Sequence, residues 1–294
     1  MTSQAARTPL RPLRPAYEQS SVPLDKVLHS ANAGFLVHRS GLITYEHRAE
    51  GLQFASELVE LINPGDVGHV SVFLYEELFG VHNRLHWILH LKQPNDYARL
   101  LDKVDHDKKW REITDLDRLP TKGGGGWERI FVEGSIQETV ICPQHGIGHG
   151  DHGHGDTFQP AARFQTKLPA EQLLHSANSA LTVHRVVQAR YAVRDEARVF
   201  LYEWANAVNE ALPGRATAFL FEEMWGRQDR LHTMIHLSSM DAYLQLSELV
   251  ERDPAMRELL SRQWIPGFKG GGTWERLFVD GSMTETLLAP RHRD

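Results

Sequence analysis

The chain has 294 residues, 41% of them apolar and 24% charged, and a net charge of −6. That length holds two ordinary domains, while an acidic balance argues against a nucleic-acid partner, whose phosphates call for a basic face. There is no apolar run able to span a bilayer, and Cys142 is the only cysteine. An intramolecular disulfide is therefore excluded, and a cytoplasmic setting is expected.

Residues 1–24 carry Pro9, Pro12, Pro15 and Pro23 among scattered Arg and Ser. Without the apolar core of a secretory signal, they read as an extended or disordered arm that could drape over the body. From residue 25 the sequence repeats itself. Leu28-His29-Ser30-Ala31-Asn32 returns as Leu174-His175-Ser176-Ala177-Asn178, and Arg84-Leu85-His86 returns as Arg230-Leu231-His232, both 146 residues later. Trp127-Glu128-Arg129 returns as Trp274-Glu275-Arg276 after one inserted residue. The expected organisation is a first repeat over 25–142, a His/Gly-rich linker over 143–170, and a second repeat over 171–294.

In each repeat the elements follow one order. A short β-branched run (35–39; 181–187) predicts a strand. Helical spacing of apolar residues then covers 45–62 and 194–212, stopped in the first copy by Asn63-Pro64. A second strand (68–77; 216–223) turns through Gly80 or Gly226 into a third (84–91; 230–237), as a hairpin does. A second helix is expected over 95–113 and 240–262. Glycine runs at 123–126 and 270–272 precede a fourth strand (127–141; 274–288). The runs lack a nucleotide-binding pattern and are read as flaps gating a cavity, with the Trp after each filling the barrel end.

The order β-α-β-β-α-β is the split unit of ferredoxin-like folds. An α+β class follows: two tandem ferredoxin-like units whose antiparallel sheets pack face to face as an intramolecular α/β barrel. By this topology and its internal duplication the chain resembles the dimeric α/β-barrel superfamily over about 25–142 and 171–290. The resemblance implies a range of activities, from cofactor-free oxygenases of polyketide quinones to haem-dependent enzymes, isomerases, cyclases and plain ligand binders. Fold alone does not choose among them.

Period-two alternation in the third strand sets Leu85, Trp87, Leu89 and Leu91 under the helices, with Arg84, His86, Ile88 and His90 facing the interior. In the ferredoxin-like strand order (fourth, first, third, second), two clusters per repeat follow. The first joins His38, Glu77 or Glu76, Arg84 and His86, mirrored by His184, Glu223 or Glu222, Arg230 and His232. It reads either as a cross-strand ion pair or as a catalytic set, Arg84 or Arg230 holding a carboxylate or enolate and His86 or His232 acting as base. The second joins His29, His90 and Glu138, mirrored by His175, His236 and Glu285. Two histidines and a carboxylate match an open divalent-metal site for Fe, Cu, Ni or Zn. Without a metal, His29 caps a strand entry and His90 is a hydrogen-bonded interior histidine, or the set performs metal-free proton transfer.

The bridge between repeats, with His145, His149, Asp151, His152, His154 and Asp156, has the composition of a metal-binding tract or of a solvated linker. It is not duplicated, which suggests that only one of the two duplicated sites is active. The functional expectation is a small-molecule enzyme performing oxygenation, cyclisation or isomerisation by histidine acid/base chemistry. An aromatic or polyketide-like substrate would lie between the sheets beside Phe73, Tyr75, Phe219 and Phe221. The alternative is a non-catalytic metal, haem or small-ligand binder. A small molecule is the expected partner, with a homodimer compatible and no nucleic acid or membrane.

Overall fold

The alternation read in residues 84–91 is realised as a strand buried on both faces, and the rest of the architecture follows from covering each face. A computed structural model describes residues 13–147 and 155–293. The first half contains β1 (Phe35–Leu42), α1 (Arg48–Gly65), β2 (Val70–Phe79), β3 (Arg84–Leu91), α2 (Pro94–His106), α3 (Lys108–Thr114) and β4 (Gln137–Pro143). The second half repeats the series as β5 (Leu181–Gln188), α4 (Arg194–Ala211), β6 (Ala216–Trp225), β7 (Arg230–Leu237), α5 (Met240–Arg252), α6 (Pro254–Ser261) and β8 (Thr284–Pro290). The class is α+β. Eight antiparallel strands close in the order β1-β3-β2-β8-β5-β7-β6-β4.

Within each half the strand order is the expected one, fourth, first, third, second. The halves join edge to edge: β2 pairs with β8 and β4 with β6, each through one register shift. Closure leaves no unpaired strand edge. Two glutamines finish these seams. The Gln19 amide bonds both the N–H and the carbonyl of Leu74, and the Gln165 amide does the same to Leu220. The segment from residue 13 to 24 is thus draped over the barrel, in a turn at Ala16–Gln19.

Three predicted boundaries move. Helix α1 runs past Asn63 to Gly65 because the Asn63 side chain turns away from the helix end and bonds the backbone of Val72; Asn209 repeats this on Ala218. The second helix of each half breaks at an aspartate that caps a new one. Asp107 accepts from the N–H of Lys109, and Asp253 from that of Met256. The fourth strand begins only at Gln137. Before it, Trp127–Arg129 form a single turn, and Trp127 stacks on Phe54 outside the barrel, 6.1 Å between ring centres, so it does not fill the barrel end. The glycine runs hold the next arginine in place of forming flaps. Arg129 donates to the Gly124 carbonyl, and a Cβ at Gly125 (φ 130°) would lie 2.5 Å from Arg129 Cδ. Gly272 meets Arg276 in the same way at 2.7 Å.

Leu85, Trp87, Leu89 and Leu91 pack with α1 against the outer face of the sheet. Inside, Leu36, Phe73, Tyr75, Ile88 and Ile141 meet Phe219, Phe221, Met234 and Leu288, each at most 1% exposed. The four aromatics do face inward, but they fill the space that a substrate between the sheets was expected to occupy. Among the described residues, no helix is long and apolar enough to cross a membrane.

One end of the barrel is closed by an exchange between halves. His29 to Asn32 form a turn, its Asn32 carboxamide accepting from the His29 N–H at 2.7 Å, and His175 to Asn178 repeat it. Each turn delivers a serine to the other half. The N–H of Ser30 donates to Ser176 Oγ (2.9 Å) and that of Ser176 to Ser30 Oγ (3.1 Å). The hydroxyls then meet opposite histidines, Ser30 with His236 and Ser176 with His90, both at 2.8 Å. His29 and His175 stack on each other at 3.5 Å between ring centres. Such pairing offsets burial, because an unmet buried group costs about 1–3 kcal/mol; among the described residues His175 Nδ1 is left without a partner.

Burial, opposed by a bond to the Ser71 carbonyl, lowers His90 to about 3, and burial lowers His175 to about 4. Burial first, then neighbouring imidazoles, hold His29 and His236 well below 6.5. Unfolding restores ordinary imidazoles, so the unfolded chain binds more protons between the two values. The stability these groups allow is complete above about pH 6.5 and is lost as pH falls toward 4 and then 3, by ~1.4 kcal/mol per histidine per pH unit. Thermal unfolding followed from about pH 7 down to 4 is expected to show a steadily falling midpoint, with a shallower fall in His90→Gln. A midpoint level across that range would contradict the account.

Candidate functional site

Strand pairing brings the first predicted cluster together, and more tightly than expected. His38 on β1 and His86 on β3 share a hydrogen bond, Nε2 to Nδ1, of 2.7 Å. His86 Nε2 lies 3.0 Å from Glu77 Oε1, and Arg84 lies 3.5 Å from the same oxygen. The mirror set follows: His184 Nε2 to His232 Nδ1 at 2.9 Å, His232 Nε2 to Glu223 Oε2 at 3.6 Å, Arg230 to Glu223 at 3.5 Å. The two sets meet, since the rings of His38 and His184 are 4.8 Å apart and nearly perpendicular. Of the alternative carboxylates, Glu76 pairs with Arg48 and Glu222 with Arg198, so neither belongs to the cluster.

The predicted metal sets are not assembled. Thr139 pairs with His38, which turns its neighbour Glu138 to the outer face of the sheet beside Arg39. There Glu138 Oε1 accepts from Arg39 Nε at 2.6 Å, and Glu285 accepts from Arg185 at 2.6 Å. His29, His90, His175 and His236 remain at the closed end, where both ring nitrogens of His90 are engaged, by Ser176 and by the Ser71 carbonyl. Among the described residues no group of three or more His, Cys, Asp or Glu is placed to hold an ion. Of the bridge, Asp156 pairs with Lys92 and His145 is exposed; His149, Asp151, His152 and His154 lie outside the described residues. The donor sets therefore do not fit the expected ion.

Open space lies instead on the outer face of the first half, between the sheet and α1 to α3. A cleft of about 410 Å³ is walled by Phe54, Leu58, Trp87, Trp110, Trp127 and Phe131. Its polar edge is the Arg39–Glu138 pair, and the Tyr97 hydroxyl donates to Glu138 Oε2 at 3.1 Å. Burial, then the Glu138 charge, raises the Tyr97 hydroxyl above its ordinary range, so it stays protonated. Trp87 is 5% exposed, and among the described residues its buried indole N–H has no hydrogen-bond partner.

The second half shows the same place reduced to about 220 Å³. Trp204 stands where the first half has Leu58, with the Arg185 guanidinium 4.5 Å over its ring, and Thr233 stands where the first half has Trp87. Sequence reasoning missed these residues because it sought positions that the repeats share. The signal was the reverse: Leu58 against Trp204 and Trp87 against Thr233 are places where the copies differ.

The molecule is similar in fold to the crystal structure of a candidate monooxygenase from Fusobacterium nucleatum subsp. nucleatum, at 8% identity and a TM-score of 0.53, over 88% of this chain and 92% of that one. It is also similar to a candidate monooxygenase from Lactobacillus acidophilus, at 8% identity and a TM-score of 0.51, over 89% and 98%. At such identity the likeness is one of fold. No curated protein matches in sequence. A family model covers residues 5–294, nearly the whole chain, and the protein belongs to that family, the family of unknown function DUF6039.

Proposed function

We propose that the chain is a small-molecule enzyme whose aromatic, polyketide-like substrate occupies the outer cleft of the first half, in a molecule descended from a duplicated ferredoxin-like unit. The observation that carries this reading is the cleft itself, about 410 Å³ of mostly aromatic wall edged by the Arg39–Glu138 ion pair. A flat apolar ligand bearing an oxygen satisfies both features, since apolar pockets with few polar groups bind such molecules and the oxygen meets the polar edge. Glu138 is the acid/base group at this edge, in place of the histidine expected from the sequence, and Arg39 beside it would hold a phenolate or enolate. Deprotonation prepares a polyketide-like ring for cyclisation or isomerisation, and for oxygenation where dioxygen is the second substrate.

A second reading is a carrier that binds the same ligand without changing it. It draws on the mutual pairing of Arg39, Glu138 and Tyr97, which leaves no group of the trio free in the unliganded protein.

Titrating the protein with a dihydroxyanthraquinone while following tryptophan fluorescence tests the site. Leu58→Trp, which copies the second half, is expected to weaken binding at least about tenfold. Trp87→Phe shortens one wall of the cleft and should cost about 1 kcal/mol. Unchanged affinity in both variants would remove the cleft from consideration. For the chemistry, Glu138→Gln should keep binding and lower turnover by about 10²–10⁴. A wild type that binds the quinone, and its reduced and open-chain analogues, with no turnover selects the carrier.

A further inference from the structure

The histidine cluster inside the barrel plays no part in the outer cleft, and its hydrogen bonds have a direction that can be worked out. Glu77 is 4% exposed in its side chain and held on both oxygens: Oε1 faces His86 Nε2 at 3.0 Å, and Oε2 accepts from the N–H of Val81. The hairpin turn permits this only with glycine at position 80 (φ 147°), where a Cβ would sit 2.1 Å from Oε2. Gly226 does the same for Glu223, whose Oε1 accepts from the Arg227 N–H at 2.7 Å. Burial works against the Glu77 charge, but the bonds from His86 and Val81, with Arg84 nearby, hold its carboxyl below the usual range.

An ionised carboxylate can only accept. His86 must therefore donate from Nε2, which in a neutral imidazole leaves its Nδ1 as acceptor. His38 must then donate from Nε2, and its own Nδ1 is left as a lone pair. The chain of bonds thus fixes the tautomer of a histidine two groups away from the charge. Among the described residues that Nδ1 has no hydrogen-bond partner, and His38 is half-buried, whereas His90 and His236 at the closed end are 0% exposed. In the mirror set His232 Nε2 and Glu223 Oε2 lie 3.6 Å apart and share no hydrogen bond, so that relay is not closed.

We propose that the mouth of the barrel is a second site, at which His38 Nδ1 acts as general base toward a phenolic or enolisable small molecule. In the step, the ligand's O–H or C–H bond breaks and its proton passes to His38 Nδ1. The electron pair stays on the ligand as phenolate or enolate, and no oxidant is needed. His38, now an imidazolium, still donates Nε2–H to His86, and His86 still donates to Glu77. The relay thus stabilises the charge without moving a proton along itself. Returning the proton to a different atom of the ligand completes an isomerisation.

The charged and titratable groups packed around His38 are His86 and Arg84 on β3, Glu77 on β2, His184 on β5, Glu223 on β6, and His232 and Arg230 on β7. Burial and the neighbouring imidazoles hold both His38 and His184 well below the ordinary imidazole range. The lone pair is therefore free at neutral pH, and the protonated form arises beside a ligand anion. With the rings 4.8 Å apart, one proton at a time is the stable arrangement. His38 would be the catalytic residue, and His86 and Glu77 positioning residues.

The test uses 4-nitrophenol, whose anion absorbs in the visible. At about pH 6 the intact protein should raise the phenolate fraction about threefold over buffer, and His38→Gln should abolish the rise. Leu58→Trp should leave it unchanged, which separates this site from the outer cleft. Nitrogen-15 spectra of histidine-labelled wild type, which need no variant to fold, should show His38 protonated on Nε2 and bare on Nδ1. In Glu77→Gln, whose carboxamide can also donate, that signature should weaken along with the phenolate rise. Absence of the rise, its survival in His38→Gln, or a proton on His38 Nδ1 would each overturn the proposal.

Discussion

The structure depends on closing a sheet that neither half can close alone. Four strands per half leave β2 and β4 of the first half, and β6 and β8 of the second, with unpaired backbone. The seams β2–β8 and β4–β6 satisfy all four edges at once. Closure creates an interior, and an interior narrow enough to be filled by side chains must settle every polar group it contains. The two ends of the barrel settle theirs differently. At one end serines from each half are exchanged and the imidazoles are sealed neutral. At the other, the buried Glu77 carboxylate sets the direction of an imidazole relay through His86 to His38.

This explains much of what the repeats share. Leu-His-Ser-Ala-Asn is a turn that carries a serine across the seam, with asparagine closing the turn and histidine stacking on its copy. Trp-Glu-Arg places a ring under α1 or α4 and an arginine in a glycine cradle. Arg39 and Arg185 each hold a glutamate from the neighbouring strand. Most of the shared residues thus do structural work, while the outer clefts of the two halves differ at Leu58 against Trp204 and Trp87 against Thr233.

The βαββαβ order, the strand sequence within each half and the inward facing of His86, Ile88 and His90 were legible, because hydrophobic period and hairpin signals are local. Glu138 was misplaced for a physical reason: in a strand, one position of register decides the face. The pairing of Thr139 with His38 lies in no local pattern. The joining of the two histidine sets at His38 and His184 was equally hidden, since it depends on how the halves curve around a common axis. Interior volume was hidden too, because a list of inward aromatics does not tell whether they line a space or fill it.

His38 and Arg39 are consecutive residues on opposite faces of β1, and each anchors the polar part of a different proposed site. The strand carries an imidazole with a fixed lone pair into the barrel and a guanidinium–carboxylate pair into an aromatic cleft outside it. In the second half His184 and Arg185 repeat the arrangement, but the Glu223 relay is not closed, and Trp204 fills the outer space under Arg185. Both departures fall on the same half. The two halves thus differ by Leu58 against Trp204, by Trp87 against Thr233 and by the width of one carboxylate–imidazole contact, so the same pair of residues is turned more to packing on β5 than on β1.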